Sequence, residues 1–341
     1  MGKEALGKAL FFDTSLSNPT GQSCGTCHAT ASAFTDNRGT VTSLGILSGI
    51  FGSRQAPSAM YMSFSPSFSF DVAAGDYIGG QFWDGRAMTL EEQAMKPLLN
   101  PSEMHATSKQ EVVDKVRLGI NAEAFKNVFG ADIFDDTNKA FAAVAGAIAE
   151  FERTSAFHPF SSKYDFFLQG KVSLSAAEAR GLAVYENPSK GNCSACHPSR
   201  PGPKGEFPLF TDFSYDNIGL PKNPQNPFYT QPLWNNPDGN AFIDKGLFAT
   251  TGRQADIGRF KVPTLRNVAV TGPYMHNGCF PTLTEVVRFY NERDLGGFAP
   301  PEVSQGVNHE ELGNLQLTGQ EQADLVAFLE ILTDGYTLAP R

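Results

Sequence analysis

The chain is predicted to be mostly α-helical and to fold as two domains related by duplication. Three observations predict this. The pattern Cys-x-x-Cys-His occurs twice, as Cys24-Gly25-Thr26-Cys27-His28 and as Cys193-Ser194-Ala195-Cys196-His197. The surroundings of the two copies match. Gly7-Lys8-Ala9-Leu10-Phe11-Phe12-Asp13 precedes the first and Gly181-Leu182-Ala183-Val184-Tyr185-Glu186-Asn187 the second, with Phe34-Thr35-Asp36 and Phe210-Thr211-Asp212 behind them. Finally, capping-box patterns open apolar runs of helical period at Thr89-x-x-Glu92, Ser108-x-x-Glu111, Ser175-x-x-Glu178, Thr282-x-x-Glu285 and Thr318-x-x-Glu321.

The repeated pentapeptide is the c-type haem attachment motif. Its two thiols form thioether bonds to haem vinyl groups, and the adjacent histidine supplies a proximal iron ligand. The alternatives are disulfides or a Cys/His zinc site. Disulfides need no histidine, and zinc motifs seldom repeat in this form, whereas here four of only five cysteines sit in the two copies. Two covalent c-type haems are therefore expected, one on Cys24, Cys27 and His28, the other on Cys193, Cys196 and His197. The fold class becomes two cytochrome-c-like haem domains, residues 1–160 and 161–341, with the boundary between Phe160 and Lys171. Cys279, the odd cysteine, is expected to be a buried, inert thiol.

The elements follow in order. The apolar turns at 7–13 and 181–187 are helical and run into polar loops, Ser17-Asn18-Pro19 and Asn187-Pro188-Ser189. Asn138 to Phe151 is Ala-rich with apolar positions at helical spacing, and Leu325, Phe328, Leu329 and Leu332 repeat that pattern near the C-terminus. Residues 39–80 and 198–262 are rich in Gly, Pro, Ser and Asn and read as irregular. Alternating strand patterns are scarce.

Bulk properties narrow the partners. A length of 341 residues accommodates two ordinary domains, and 41% hydrophobic against 18% charged residues suits globular cores. The net charge of -9 argues against a nucleic-acid partner. No apolar run reaches the roughly 18 residues of a membrane span. Met1-Gly2-Lys3-Glu4 lacks the apolar region of a signal peptide, and haem attachment normally happens outside the cytoplasm. The expectation is a mature, exported, periplasmic chain.

Longer motifs carry a resemblance. Gln81-Phe82-Trp83-Asp84-Gly85-Arg86-Ala87, Leu90-Glu91-Glu92-Gln93-Ala94 and Pro97-Leu98-Leu99-Asn100-Pro101-Ser102-Glu103-Met104 are similar to segments of the bacterial di-haem cytochrome c peroxidases. So are Phe260-Lys261-Val262-Pro263-Thr264-Leu265-Arg266-Asn267-Val268 and Thr271-Gly272-Pro273-Tyr274-Met275-His276-Asn277-Gly278. The resemblance runs from Leu6 to Leu332 and extends to the MauG branch, whose members oxidise residues of a partner protein.

The resemblance implies roles for single residues. Glu103 and Gln93 fall in the distal pocket of a peroxide-reacting N-terminal haem, where a desolvated carboxyl can move the proton that O–O cleavage requires. Read without the resemblance, Glu103 is a capping or surface acid. Pro97 falls where the MauG branch packs a proline over the distal face. Trp83 falls between the haems as an electron relay; its default role is core packing. Peroxidases proper carry a distal histidine in the loop before Arg54-Gln55-Ala56-Pro57. Here residues 43–57 contain neither histidine nor methionine, which implies an open first haem needing no reductive activation. His105, Met60 and Met62 are the alternative intruders. For the second haem, the methionine expected fourteen residues after His276 is replaced by Tyr290, as in the MauG branch. A phenolate ligand favours ferric and higher states. Met275 is the rival ligand, and a buried aromatic is the plain alternative for Tyr290. His276 is expected to support a propionate or the structure between the haems. A calcium ion is implied on the carbonyls of Thr271 and Pro273 and the side-chain amide of Gln55, where relatives usually have asparagine.

The expected function is that of a haem peroxidase-type oxidoreductase. Its partners are hydrogen peroxide and either a protein substrate, as for MauG, or a small cytochrome or copper protein as electron donor. A non-catalytic di-haem carrier or sensor is the third reading. Homodimers are common in the peroxidase branch.

Overall fold

The computed structural model describes residues 1–338; the last three residues of the predicted 161–341 span lie outside it. The described chain is mostly helical. In order it forms α1 (Lys3–Phe11), α2 (Cys24–Cys27), β1 (Ser69–Asp71), β2 (Asp76–Ile78), α3 (Leu90–Leu99), α4 (Lys109–Leu118), α5 (Ala122–Phe129), α6 (Thr137–Glu152), α7 (Lys163–Leu168), α8 (Ala176–Glu186), β3 (Tyr215–Asp216), α9 (Phe248–Thr251), β4 (Phe260–Lys261), α10 (Leu283–Glu292) and α11 (Gly319–Glu330). The strands form two small antiparallel pairs, β1 with β2 and β3 with β4. The first pair is a hairpin inside the stretch read as irregular.

All five capping patterns begin helices. Thr89, Ser108, Ser175, Thr282 and Thr318 each accept a hydrogen bond from the backbone N–H three residues on. At Ser175, Thr282 and Thr318 the glutamate bonds back to the cap N–H, completing the reciprocal box. Glu92 and Glu111 instead reach one residue further, to the N–H groups of Met88 and Thr107.

Two helix crossings resemble each other. α1 lies on α6 with Gly7 against the backbone of Ala147, and α8 lies on α11 with Gly181 against the backbone of Asp324. A Cβ on Gly7 would stand 1.8 Å from the Ala147 oxygen, and one on Gly181 would stand 2.0 Å from the Asp324 oxygen. Only glycine permits so close an approach. Each crossing anchors an apolar core. The first gathers Leu6, Leu10, Phe11, Val112, Val144, Ile148 and Phe157. The second gathers Tyr185, Phe210, Leu325, Phe328 and Leu332. A smaller cluster of Leu220, Phe280 and Phe289 lies beside α10. Between the first two cores the buried pair Arg266–Asp165 is bidentate, at 2.8 and 3.0 Å, and fully desolvated.

Candidate active site

One continuous cavity of about 650 Å³ runs through the molecule, and both Cys-x-x-Cys-His motifs open into it. The first motif forms α2 and the second a single 3-10 turn, Cys193–Ala195; in both, the histidine N–H bonds the carbonyl of the first cysteine at 2.9 Å. Nδ1 of His28 lies 2.7 Å from the Phe34 carbonyl, and Nδ1 of His197 lies 2.8 Å from the Phe210 carbonyl. Both phenylalanines hold a left-handed backbone, φ 55 and 54. Burial pushes both imidazoles below the ordinary histidine range, so they are neutral. All four cysteines are free, and burial pushes Cys193 and Cys196 up to about 12.

In the first half, α3 projects Gln93 and Pro97, one helical turn apart, into the cavity. The loop behind α3 brings Glu103 to the same wall; its N–H bonds the Asn100 carbonyl at 3.0 Å and its carbonyl accepts from Ile46 at 2.9 Å. Burial pushes the Glu103 carboxyl up, opposed by Arg86 and Asn100. The loop at 43–57 contributes Ser43 and residues 52–57 to the wall. It is fastened from the other half of the chain. Asn226 donates to the Ser53 carbonyl at 2.9 Å, Gln231 to Gly49 at 3.1 Å and Asn235 to Phe51 at 3.1 Å. Asn235 also accepts from the Ser102 hydroxyl, next to Glu103. Of the alternative intruders, Met62 lines the cavity; His105 and Met60 are not in its wall.

Trp83 lines the same cavity; its indole N–H donates to the Gln55 carbonyl at 2.9 Å and its ring centre is 6.5 Å from that of His276. His276 stacks on Phe260 at 3.5 Å. Its Nε2 is buried without a partner, and burial pushes it down to about 4. Arg54 is chelated by Asp244 at 2.6 and 2.7 Å and bonds Asp84 at 2.7 Å. Gln55, Thr271 and Pro273 share this wall. Gln55 donates its amide to Thr35 Oγ1 at 3.1 Å, which leaves its oxygen as the end suited to a hard cation. Among the described residues no cluster of three His, Cys, Asp or Glu side chains could hold a metal.

In the second half, Tyr290 projects from α10 into the cavity beside Cys193 and Cys196, and burial pushes its phenol far up. Met275 lines the cavity too, from a left-handed backbone at φ 73. Cys279, expected buried, is half-buried at the edge of the smaller cluster; burial still pushes its thiol up to about 11.

Two wall residues escaped sequence reasoning. Glu152, the last residue of α6, is buried with one carboxyl oxygen unpaired, and burial pushes it up to about 8. Lys261 is buried, donates to the Gly80 carbonyl at 2.6 Å, and is pushed down to about 7. An acid closing an apolar helix and a lysine between Phe260 and Val262 were the available signals.

Comparison with known proteins places the chain in a family. A family model described as di-haem cytochrome c peroxidase matches residues 2–173. The chain is 40% identical to the methylamine utilization protein MauG of Paracoccus denitrificans, over 97% of this chain and 88% of that protein. It is 32% identical to the cytochrome c551 peroxidase of Nitrosomonas europaea, over 96% and 79%. Among solved structures, the diheme peroxidase BthA from Burkholderia thailandensis superposes with a TM-score of 0.85 at 33% identity, over 97% of this chain and 86% of that one. Fold and site together define a haem peroxidase-type oxidoreductase. The chain belongs to the di-haem cytochrome c peroxidase family, which implies two c-type haems. The residues present fit them: two pairs of free thiols, each beside a neutral imidazole whose Nε2 is available, on one largely apolar cavity.

Proposed function

We propose that the chain is a peroxide-dependent oxidase of the MauG kind. It would draw electrons from residues of a docked protein and act outside the cytoplasm. One observation carries this reading: the loop at 43–57, fastened against the first cavity wall, has no imidazole or thioether to offer iron. His28 and His197 hold the two irons through Nε2. Bound haem supplies the redox centre at which peroxide is reduced. Glu103 moves a proton from the inner to the departing peroxide oxygen, a task suited to a carboxyl raised by burial. Gln93 orients the peroxide by hydrogen bonding, and Pro97 restricts the space beside it. Trp83 would pass electrons between the halves, and Tyr290 would ligate the second iron. Gln55, Thr271 and Pro273 would hold a calcium ion that ties the halves together. The matching glycine crossings and histidine–carbonyl bonds support a duplication with its boundary near residues 160–171.

The test is reaction of the fully oxidised holoenzyme with peroxide. A high-spin ferric signal and a two-equivalent oxidised species formed without prior reduction are expected. A requirement for reduction would favour the second reading, a peroxidase fed by a small cytochrome or copper protein, for which the likeness to a cytochrome c551 peroxidase speaks.

A further inference from the structure

A file of aromatic rings leads from Tyr215, joined to Trp83 through the backbone of Lys261, to the surface, and no step described so far uses it. The Trp83 carbonyl accepts from the N–H of Lys261 at 2.8 Å, and Lys261 is the ladder partner of Tyr215. Tyr215 is buried, its phenol close enough to Asp84 to feel that charge. Its hydroxyl donates to the Gly79 carbonyl at 2.6 Å. Its ring meets Phe68 edge-on at 6.1 Å, and Phe68 stacks on Tyr77 at 5.0 Å with the planes 2° apart. Tyr77 lies half-buried on β2, its ring 5.1 Å from Phe70, which is its ladder partner on β1 and 40% exposed. The Arg253 guanidinium stands 5.2 Å from the Phe70 ring centre and 5.3 Å from that of Tyr77. Its nearest carboxylate, Asp256, is a loose 3.8 Å away, whereas the Asp76 carboxylate is bound by Arg259. The hairpin thus presents an oxidisable phenol, an exposed apolar ring and a cation with charge to spare.

We propose that Trp83, Tyr215, Phe68 and Tyr77 form an electron conduit, and that Tyr77, Phe70 and Arg253 form a second substrate site for small aromatic reductants bearing an acidic group. A hydroquinone sulfonate has the required chemistry: its ring covers Phe70 and its sulfonate pairs with Arg253. Tyr77 gives one electron inward along the conduit and its phenolic proton to water. The bound hydroquinone restores both. Two such events convert one hydroquinone to quinone and one hydrogen peroxide to two waters. The inference rests on the peroxide-dependent oxidase reading for its oxidant.

The experiment uses the holoenzyme with 2,5-dihydroxybenzenesulfonate. Tyr77→Phe keeps the ring stack and removes the phenol. It should lower peroxide-dependent oxidation of the sulfonate at least roughly tenfold. It should also abolish a tyrosyl radical signal seen after peroxide alone, while the peroxide-induced haem spectral change persists. Arg253→Ala should weaken binding of the sulfonate to the resting enzyme by about fivefold, the worth of an exposed ion pair, and weaken binding of uncharged hydroquinone less. Normal sulfonate turnover and an unchanged radical in Tyr77→Phe overturn the inference alone. No spectral response of the fully oxidised parent enzyme to peroxide overturns the peroxide-dependent oxidase reading and this inference with it.

Discussion

His28 and Phe34 are joined by a 2.7 Å hydrogen bond between the imidazole Nδ1 and the backbone carbonyl. A carbonyl only accepts, so the ring proton sits on Nδ1 and the lone pair on Nε2. The bond fixes both the tautomer and the plane of the ring. The His28→Gly holoenzyme should therefore keep its thioether bonds yet lose most of its peroxide reactivity. Added imidazole should restore it only in part, since a free ring is not held by Phe34. Absorption spectra and stopped-flow peroxide mixing check both statements.

Glu103→Gln removes the proton carrier proposed above and keeps the shape of the side chain. The rate of the peroxide-induced spectral change should fall by roughly 10²–10⁴-fold. Peroxide binding should change far less. A variant that reacts at the parent rate returns Glu103 to a structural role.

Two glycines on the same helix pair should respond oppositely to alanine. Gly7→Ala puts a methyl against the Ala147 backbone and should cost at least about 3 kcal/mol, at the upper end of overpacking penalties. Gly146→Ala on α6 meets nothing nearer than the Lys3 ammonium at 4.0 Å and should gain roughly 0.5–1 kcal/mol. Denaturant titration of the two holoproteins measures both.

Burial holds the Glu152 carboxyl at about 8, against an ordinary 4.5. Because the folded value lies above the unfolded one, this group favours folding most below about 4.5, and that advantage is lost as pH rises toward about 8. Glu152→Gln cannot ionise and should escape the loss. Its stability relative to the parent should climb across that window; parallel curves would show that Glu152 does not titrate there.

Tyr290→Phe removes the phenol and should change the six-coordinate low-spin signal of the second haem. Tyr290→Met should raise its potential, since thioether favours ferrous iron. An unchanged spectrum in Tyr290→Phe would assign the ligand position to Met275.

Local signals were legible in the sequence where the chain satisfies its own backbone. Thr89, Ser108, Ser175, Thr282 and Thr318 cap helices through bonds three residues long, so spacing alone reveals them. The repeated Cys-x-x-Cys-His is equally local. Glu152 and Lys261 were not legible as wall residues, because their desolvation comes from segments far away in sequence. The β1–β2 hairpin was hidden for a related reason: its strands are three residues each, too short for alternation to register. The bonds from Asn226, Gln231 and Asn235 to the loop at 43–53 span 173 to 184 residues and leave no pattern in the amides themselves.

Those three amides bear on how the molecule is made. During synthesis the N-terminal half emerges with its attachment motif, α3 and Glu103 complete, but nothing yet secures its loop. The wall of the first cavity is fastened only once residues 226–235 have followed and folded back. Any chemistry proposed for that cavity therefore depends on the C-terminal half as well as on the residues that line its wall from the N-terminal half.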